Sequence, residues 1–147
     1  MSTLLPPQVI TTTLQRGQGI AGPPGPAGPA SGAGADYTAA VSLSGHRVLA
    51  LDSLGQAVYA SADTLSDALR VAGMSLNAAS AAAPITVQSS GLIEFNGWAW
   101  TANQPVYLGL GGAPVQTLPV GAVFAQVIGK AISPTQLMLS LQPPIIL

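Results

Sequence analysis

Two carboxylates, Asp63 and Asp67, are the first candidates for acid–base chemistry. They lie four residues apart in a segment predicted to form a short helix, so they are expected to share one helical face. A catalytic pair of carboxyls needs a pocket that drives its two pKa values apart. The neighbouring residues are mostly Ala, Ser, Thr and Leu, and they give no sign of such a pocket. The pattern favours a solvated first helical turn, where the helix dipole stabilises acidic side chains.

Other patterns that carry chemistry are missing. The chain has one histidine, His46, and no cysteine, which excludes an HExxH pair, a thiolate metal site and a disulfide. No G-x-S-x-G motif supplies a serine nucleophile for His46. The glycine-rich segment 109–112 lacks the Lys-Ser/Thr and the helix that follow a phosphate-binding loop. The sequence therefore predicts no catalytic, cofactor-binding or metal-ligating residues, no cofactor, and a protein that is not an enzyme.

Aromatic residues gather in the second half of the chain. Trp98 and Trp100 are expected on one side of an extended segment, with Phe95 and Tyr107 nearby. Such a platform can bind sugar rings. Tryptophan is also enriched at subunit contacts and at the margins of small cores. The four residues are predicted to form part of the core or a trimer face, and a ligand platform is the alternative.

Charged residues are scarce, at 6% of the chain, where soluble domains average about 25%. With a net charge of −1, the chain has no basic field for nucleic acid. Proline and glycine interrupt the longest uncharged stretch, 95–129, which is unlike a membrane span. The N-terminus lacks the basic region of a secretory signal. These features predict a protein made in a cytoplasm, without nucleic-acid or membrane partners, that packs against copies of itself or a larger assembly.

Residues 1–18 are predicted to be an extended anchoring arm. The segment is apolar and rich in β-branched residues, which suits it to adding a strand to a partner. The residues expected to dock are Val9, Ile10 and Leu14.

Residues 19–34 are predicted to be a collagen-like stem or a linker. Four consecutive Gly-X-Y triplets begin at Gly19, Gly22, Gly25 and Gly28. Glycine at every third position is the requirement of the crowded collagen axis, and proline pre-sets the polyproline II backbone. Trimer contact through these glycines and a plain Gly/Pro linker both remain open.

Residues 35–147, here called the head, are predicted to be all-β. Short apolar runs alternate with Gly, Pro, Asn and Ser, which is typical of antiparallel strands and turns. A turn is expected at 52–55 and another at 108–113, and the one candidate helix covers 62–69. The predicted strands are 46–51, 56–60, 71–76, 85–88, 92–95, 105–108, 122–131 and 136–141. A small barrel and a two-sheet sandwich both fit this spacing.

Several sequence segments of the head resemble the small β-domains of tailed-bacteriophage structural proteins. They are the segments 47–60, 62–63, 70–75, 85–93, 98–100, 104–109, 116–119, 124–132 and 142–147. In the proteins that this chain resembles, the module often follows a short collagen-like stretch, as it does here.

The resemblance implies a virion protein that is a homotrimer. Its arm would bind another virion protein of the capsid, neck or tail, and its head would point outward. The expected function is that of a short fibre or spike on the head or tail. The alternatives are a capsid decoration (cement) protein that stabilises the shell, and a carbohydrate-binding module that contacts a host-surface glycan through Trp98 and Trp100.

Overall fold

The structure, a computed structural model, describes residues 34–147. The predicted arm residues Val9, Ile10 and Leu14 and the stem glycines Gly19, Gly22, Gly25 and Gly28 lie outside the described residues. Within the described range the fold consists of twelve strands and one 3₁₀ helix. The strands are β1 (Gly34–Thr38), β2 (Val48–Leu51), β3 (Ala57–Tyr59), β4 (Val71–Ser75), β5 (Pro84–Gln88), β6 (Ser90–Glu94), β7 (Pro105–Leu108), β8 (Pro114–Val115), β9 (Phe124–Ala125), β10 (Val127–Ser133), β11 (Gln136–Ser140) and β12 (Ile145–Ile146). The 3₁₀ helix is Leu65–Leu69.

Sheet I has the strand order β1-β5-β4-β2-β3, and all its ladders are antiparallel. The β2–β3 hairpin turns at Asp52, whose Oδ1 accepts hydrogen bonds from the N–H groups of Leu54 and Gln56, each at 2.9 Å. This local pairing of an Asp side chain with the turn backbone is the reason that Asp suits the position. The predicted turn at 52–55 is therefore confirmed.

Sheet II has the order β6-β11-β10-β7-β8 and is also antiparallel throughout. The predicted turn at 108–113 is confirmed, since Gly109 N–H donates to the Ala113 carbonyl at 2.7 Å and Tyr107 pairs with Val115. Neither five-stranded sheet closes into a barrel. In sheet I, a single parallel bridge between Ala39 and Ala57 joins the residue after β1 to β3 at the opposite edge.

One buried cluster lies between the two sheets. Sheet I contributes Val48, Ala50 and Met74, while the largest members from elsewhere are Phe124, Ile93, Ile128, Leu108, Leu137, Leu139 and Val106. A second cluster, which includes Leu49, Ile85 and Val87, occupies the other face of sheet I. Because side chains alternate along a strand, β2 can supply both clusters at once. Sheet I is consequently covered on both faces.

A third, two-stranded sheet pairs β9 with β12 antiparallel, and it is called the C-terminal ribbon below. The segment 122–131, predicted as one strand, is divided between the ribbon and sheet II. Phe124–Ala125 pairs with β12, whereas Val127–Ser133 pairs with β7 and β11. The strands β1 and β12 were not predicted.

The predicted helix over 62–69 is wrong in type, because Leu65–Leu69 is a short 3₁₀ helix. Its bonds are of the i+3 kind, from Asp67 N–H to the Thr64 carbonyl and from Arg70 N–H to the Asp67 carbonyl. Ala62 is held outside any helix, since its N–H donates to Gly109 and its carbonyl accepts from Val123. These tertiary bonds leave too few free residues for an α-helix.

The close approach of neighbouring strands in sheet II can be tested by substituting Gly129. A Cβ added at Gly129 would overlap the carbonyl oxygen of Met138 on the neighbouring strand. Gly129→Ala should therefore lower the free energy of unfolding by roughly 2–3 kcal/mol, through overpacking of a central strand. Urea denaturation followed by circular dichroism measures this change. The matched control is Gly45→Ala, where the nearest atom would lie at 3.4 Å, and it should change stability by less than about 1 kcal/mol. Equal effects of the two substitutions would contradict this packing.

Candidate functional site

Four rings form an aromatic cluster at the margin of the core. His46 stacks on Phe95 with ring centroids 4.0 Å apart and planes 9° from parallel. Trp98 meets both rings edge-on, at 5.7 Å from His46 and 5.6 Å from Phe95. Trp100 extends the cluster, with its centroid 5.3 Å from that of Trp98. The structure thus brings three of the four predicted aromatic residues together and adds His46.

The backbone around these rings is fixed by hydrogen bonds. Phe95 N–H donates to the Thr135 carbonyl and Trp100 N–H to the Pro134 carbonyl, each at 2.9 Å. These bonds tie the loop after β6 to the turn between β10 and β11. Gly97 gives the Phe95 ring its space, because a Cβ there would lie 2.6 Å from two ring carbons.

His46 reaches the cluster from a separate part of the chain. Its backbone has a φ of 58°, in the left-handed region that few residues other than glycine adopt. The conformation is held by its N–H, which donates to the Ser75 carbonyl at 2.7 Å. No periodicity in the sequence links His46 to the loop after β6, so the sequence placed it only at the start of the predicted strand 46–51 and gave no sign of its role as a ring partner.

The rings of the aromatic cluster are mostly packed against neighbouring side chains and are not open to a ligand. Trp98 and Trp100 are half-buried and pack against the cluster between the sheets. The Trp100 Nε1 atom is buried and has no hydrogen-bond partner. Phe95 is 39% exposed, but His46 covers one of its faces. A sugar platform needs open ring faces and accessible polar groups, and this arrangement offers few of either.

Tyr107 lies apart from the other predicted aromatic residues. It is half-buried on β7 and lines a groove together with Leu118, Val127, Ile145 and Leu147. We call this the Tyr107 groove. It runs along one side of the C-terminal ribbon.

A second groove lies on the ribbon's other side and is lined by apolar side chains. Its lining consists of Leu65, Ala68, Leu69, Pro143, Pro144 and Ile146. We call it the Leu69 groove, because Leu69 is 89% exposed there. Neither groove has a charged residue in its lining. The sequence offered one signal for this region, the run of aliphatic residues at the C-terminus.

The two candidate carboxylates do not form a catalytic pair. Asp67 is buried, so the predicted solvated turn is wrong at this residue. Its burial is compensated by an ion pair with Arg70 at 2.6 Å and by a hydrogen bond that Asp67 accepts from Ser61 N–H at 3.0 Å. Asp63 is exposed, and hydrogen bonds from the Ser61 and Thr64 hydroxyls lower its pKa. The lowered pKa keeps Asp63 ionised and makes it a poor proton donor at neutral pH. Asp67 has a structural role at the 3₁₀ helix.

Within residues 34–147, no group of three or more His, Asp or Glu side chains is placed to hold a metal ion. In the same part of the chain, no helix has the length and hydropathy of a membrane span. No protein-family model matches the chain, and no curated protein matches it. The site is therefore defined by its geometry: a packed aromatic cluster and a ribbon flanked by two uncharged grooves.

The His46–Phe95 stack should make stability depend on pH. Burial lowers the pKa of His46 from its usual value of 6.5. The unfolded chain then binds a proton more readily than the folded one, so stability is complete above about pH 6.5 and falls as the pH drops toward the folded pKa. We expect a lower free energy of unfolding at pH 5.5 than at pH 8, measured by urea denaturation.

The control for this effect is His46→Phe, which keeps a stacked ring and removes the titrating group. The decrease between pH 8 and pH 5.5 should shrink in this variant, because most carboxyls titrate at lower pH. An unchanged pH dependence in His46→Phe would show that another group is responsible.

Proposed function

We propose that this protein is a non-enzymatic bacteriophage virion protein. It acts as a trimeric short fibre or spike on the head or tail, anchored by its N-terminal arm, with a sandwich-like head that points outward. The proposal is supported by the sequence segments of the head that resemble phage structural proteins and by the Gly-X-Y triplets that precede them. In this account the protein works in the virion after synthesis in the host cytoplasm.

The observation that carries the proposal is the surface of the head. Fourteen large apolar side chains are exposed among the described residues. The whole chain has nine charged residues, and one of them, Arg16, lies outside the described range. Of the remainder, Asp67 and Arg70 neutralise each other. Leu65, Leu69 and Ile146 lie together in the lining of the Leu69 groove, and contiguous exposed apolar surface of this kind marks sites of association in soluble proteins. A head of this kind fits a protein that is normally packed into an assembly.

Attachment in this account depends on multivalency. In a trimer, three arms are joined to one body, so binding of the first arm raises the effective concentration of the other two. Weak contacts by Val9, Ile10 and Leu14 can then sum to lasting attachment. The glycines Gly19, Gly22, Gly25 and Gly28 are proposed to bring the three chains together in the stem. Phe95, Trp98, Trp100 and Tyr107 are proposed to serve the core or the trimer face.

A capsid decoration protein is the second candidate, and the same apolar surface supports it. A decoration protein covers the shell, whereas a fibre occupies the vertices, neck or tail. Quantitative mass spectrometry of purified virions, scaled to the major capsid protein, should give on the order of tens of copies or fewer for the fibre, since avidity from three joined arms makes few attachment points sufficient. Hundreds of copies per virion would contradict the fibre and support a decoration protein instead.

The third candidate is a glycan-binding attachment module that uses Trp98 and Trp100. These are the only tryptophans of the chain, so tryptophan emission, excited selectively over that of the three tyrosines, reports on the aromatic cluster. Because the rings are packed against one another and against the core, host polysaccharide should leave the emission spectrum unchanged. A saturable shift that is abolished in Trp100→Ala and kept in Tyr107→Phe would establish the glycan module and overturn this expectation.

A further inference from the structure

The two ends of the chain carry related segments. Residues 4–10 read Leu-Leu-Pro-Pro-Gln-Val-Ile, and residues 141–147 read Leu-Gln-Pro-Pro-Ile-Ile-Leu. Both have leucine first, two prolines at the third and fourth positions and aliphatic residues at the last two. The C-terminal segment is described by the structure. It therefore shows how a segment of this pattern can be seated on the fold.

The C-terminal segment is seated through its alternating side chains. Ile145 and Leu147 line the Tyr107 groove, whereas Ile146 lines the Leu69 groove on the other side of the ribbon. This is the period of an extended strand. The seating is incomplete, since Ile145 remains 66% exposed and Ile146 58% exposed. Both grooves thus leave apolar side chains of β12 uncovered.

Among the strands of residues 34–147, none pairs with the second edge of β12. In the strand order of the described residues, β12 has β9 as its single neighbour. Leu147 N–H donates to the Val123 carbonyl at 3.1 Å, so the pair Leu147–Val123 is hydrogen-bonded. Hydrogen-bonded pairs alternate with non-bonded ones in an antiparallel ladder. The intervening Ile146, paired with Phe124, therefore directs its N–H and C=O away from β9, toward the open edge.

We propose that residues 8–14 of a second copy of this chain add to β12 as a third strand of the C-terminal ribbon. Residues 9–13 are five consecutive β-branched residues, the composition that most favours a strand. Pro6 and Pro7 precede them, as Pro143 and Pro144 precede β12. Alternate side chains of the added strand enter the Tyr107 groove and the Leu69 groove.

The absence of charge on both sides makes this contact favourable. Residues 1–15 contain no charged side chain, and neither groove has one in its lining. No charged side chain has to be desolvated when the strand is added. The main-chain bonds to Ile146 give register, and the aliphatic side chains in the two grooves supply most of the affinity.

This inference concerns the partner of the arm and does not rest on the virion assignment. The arm has one β-branched segment, so binding to a particle and binding to another copy compete for it. The contact is head-to-tail, because the arm of one copy meets the ribbon of the next. Such a contact either closes into a ring or extends into a chain.

A peptide titration tests the docking edge. A fluorescent peptide of residues 3–14 is added to the full chain carrying Val9→Asp and Ile10→Asp, which disables the chain's own arm. Saturable binding is expected, with a dissociation constant of roughly 10–100 µM for so short a strand. The same peptide with Asp at positions 9 and 10 should not bind. Failure of the unmodified peptide to bind would overturn the proposal.

Two variants of the acceptor locate the binding, each made in the chain with the disabled arm. Ile146→Pro removes the outward N–H and leaves the hydrogen bond from Leu147 N–H to the Val123 carbonyl in place, so the affinity for the peptide should fall at least about tenfold. Leu69→Asp changes a side chain that is almost fully exposed, so it should fold normally and weaken binding at least about fivefold. Leu54→Asp, an exposed leucine away from the ribbon, is the matched control. Unchanged binding in both acceptor variants would overturn the docking site.

A complementation experiment tests whether the contact joins two copies. A chain with Leu69→Asp and Ile146→Pro can donate its arm but has no acceptor edge, while the chain with Val9→Asp and Ile10→Asp has the reverse defect. Mixing the two labelled chains should raise fluorescence anisotropy above that of either variant alone. No change on mixing, with peptide binding intact, would mean that the arm of a whole chain does not reach the ribbon of another copy, and the proposal of a second copy would be wrong.

Discussion

Covering both faces of sheet I is the requirement on which the rest of this fold depends. The strand β2 has three buried residues in succession, Val48, Leu49 and Ala50, which face two different clusters. Sheet II covers one face, and the other holds a cluster completed by the loops at Ala39–Leu43 and Ala79. Within the described residues no α-helix is available to cover anything else. The outer face of sheet II and the C-terminal ribbon are therefore left open, with Leu92, Met138 and Ile146 exposed.

The functional account follows from that open surface. In most soluble domains, charged side chains keep such an exposed face hydrated, but this chain has few charged residues. Of the charges that it has, Asp67 and Arg70 are used to hold the 3₁₀ helix. Apolar side chains on the ribbon and on sheet II then favour association over solvation. The proposed trimer and the proposed arm-to-ribbon contact are two ways of covering the same kind of surface.

Local patterns predicted much of the fold, and long-range contacts explain what they missed. The β2–β3 hairpin follows from Asp52 and Gly55 at the turn, and β7 was predicted over its full length, since both depend on neighbouring residues. The strand β1 was missed because Gly34–Thr38 is mostly exposed and pairs with β5, far away in sequence. The 3₁₀ helix was taken for an α-helix because the bonds from Ala62 to Gly109 and Val123 are tertiary. Burial of Asp67 was missed for the same reason.

The candidate site was partly within reach of sequence reasoning. The spacing of Trp98 and Trp100 placed them together, and Phe95 was close enough in the chain to be included. Tyr107 was grouped with them by nearness in sequence, but it lies on β7 beside the ribbon. His46 could be found only from the fold, since its ring meets Phe95 through a turn that Ser75 holds.

The central claim, that this surface exists to be covered by other copies, is tested most directly by the native mass of the full chain. Native mass spectrometry and sedimentation at micromolar concentration should give a trimer of the 14.6 kDa chain or a larger assembly of trimers. A monomer that persists as the concentration rises would contradict the account. The exposed apolar side chains would then need a different explanation from self-association.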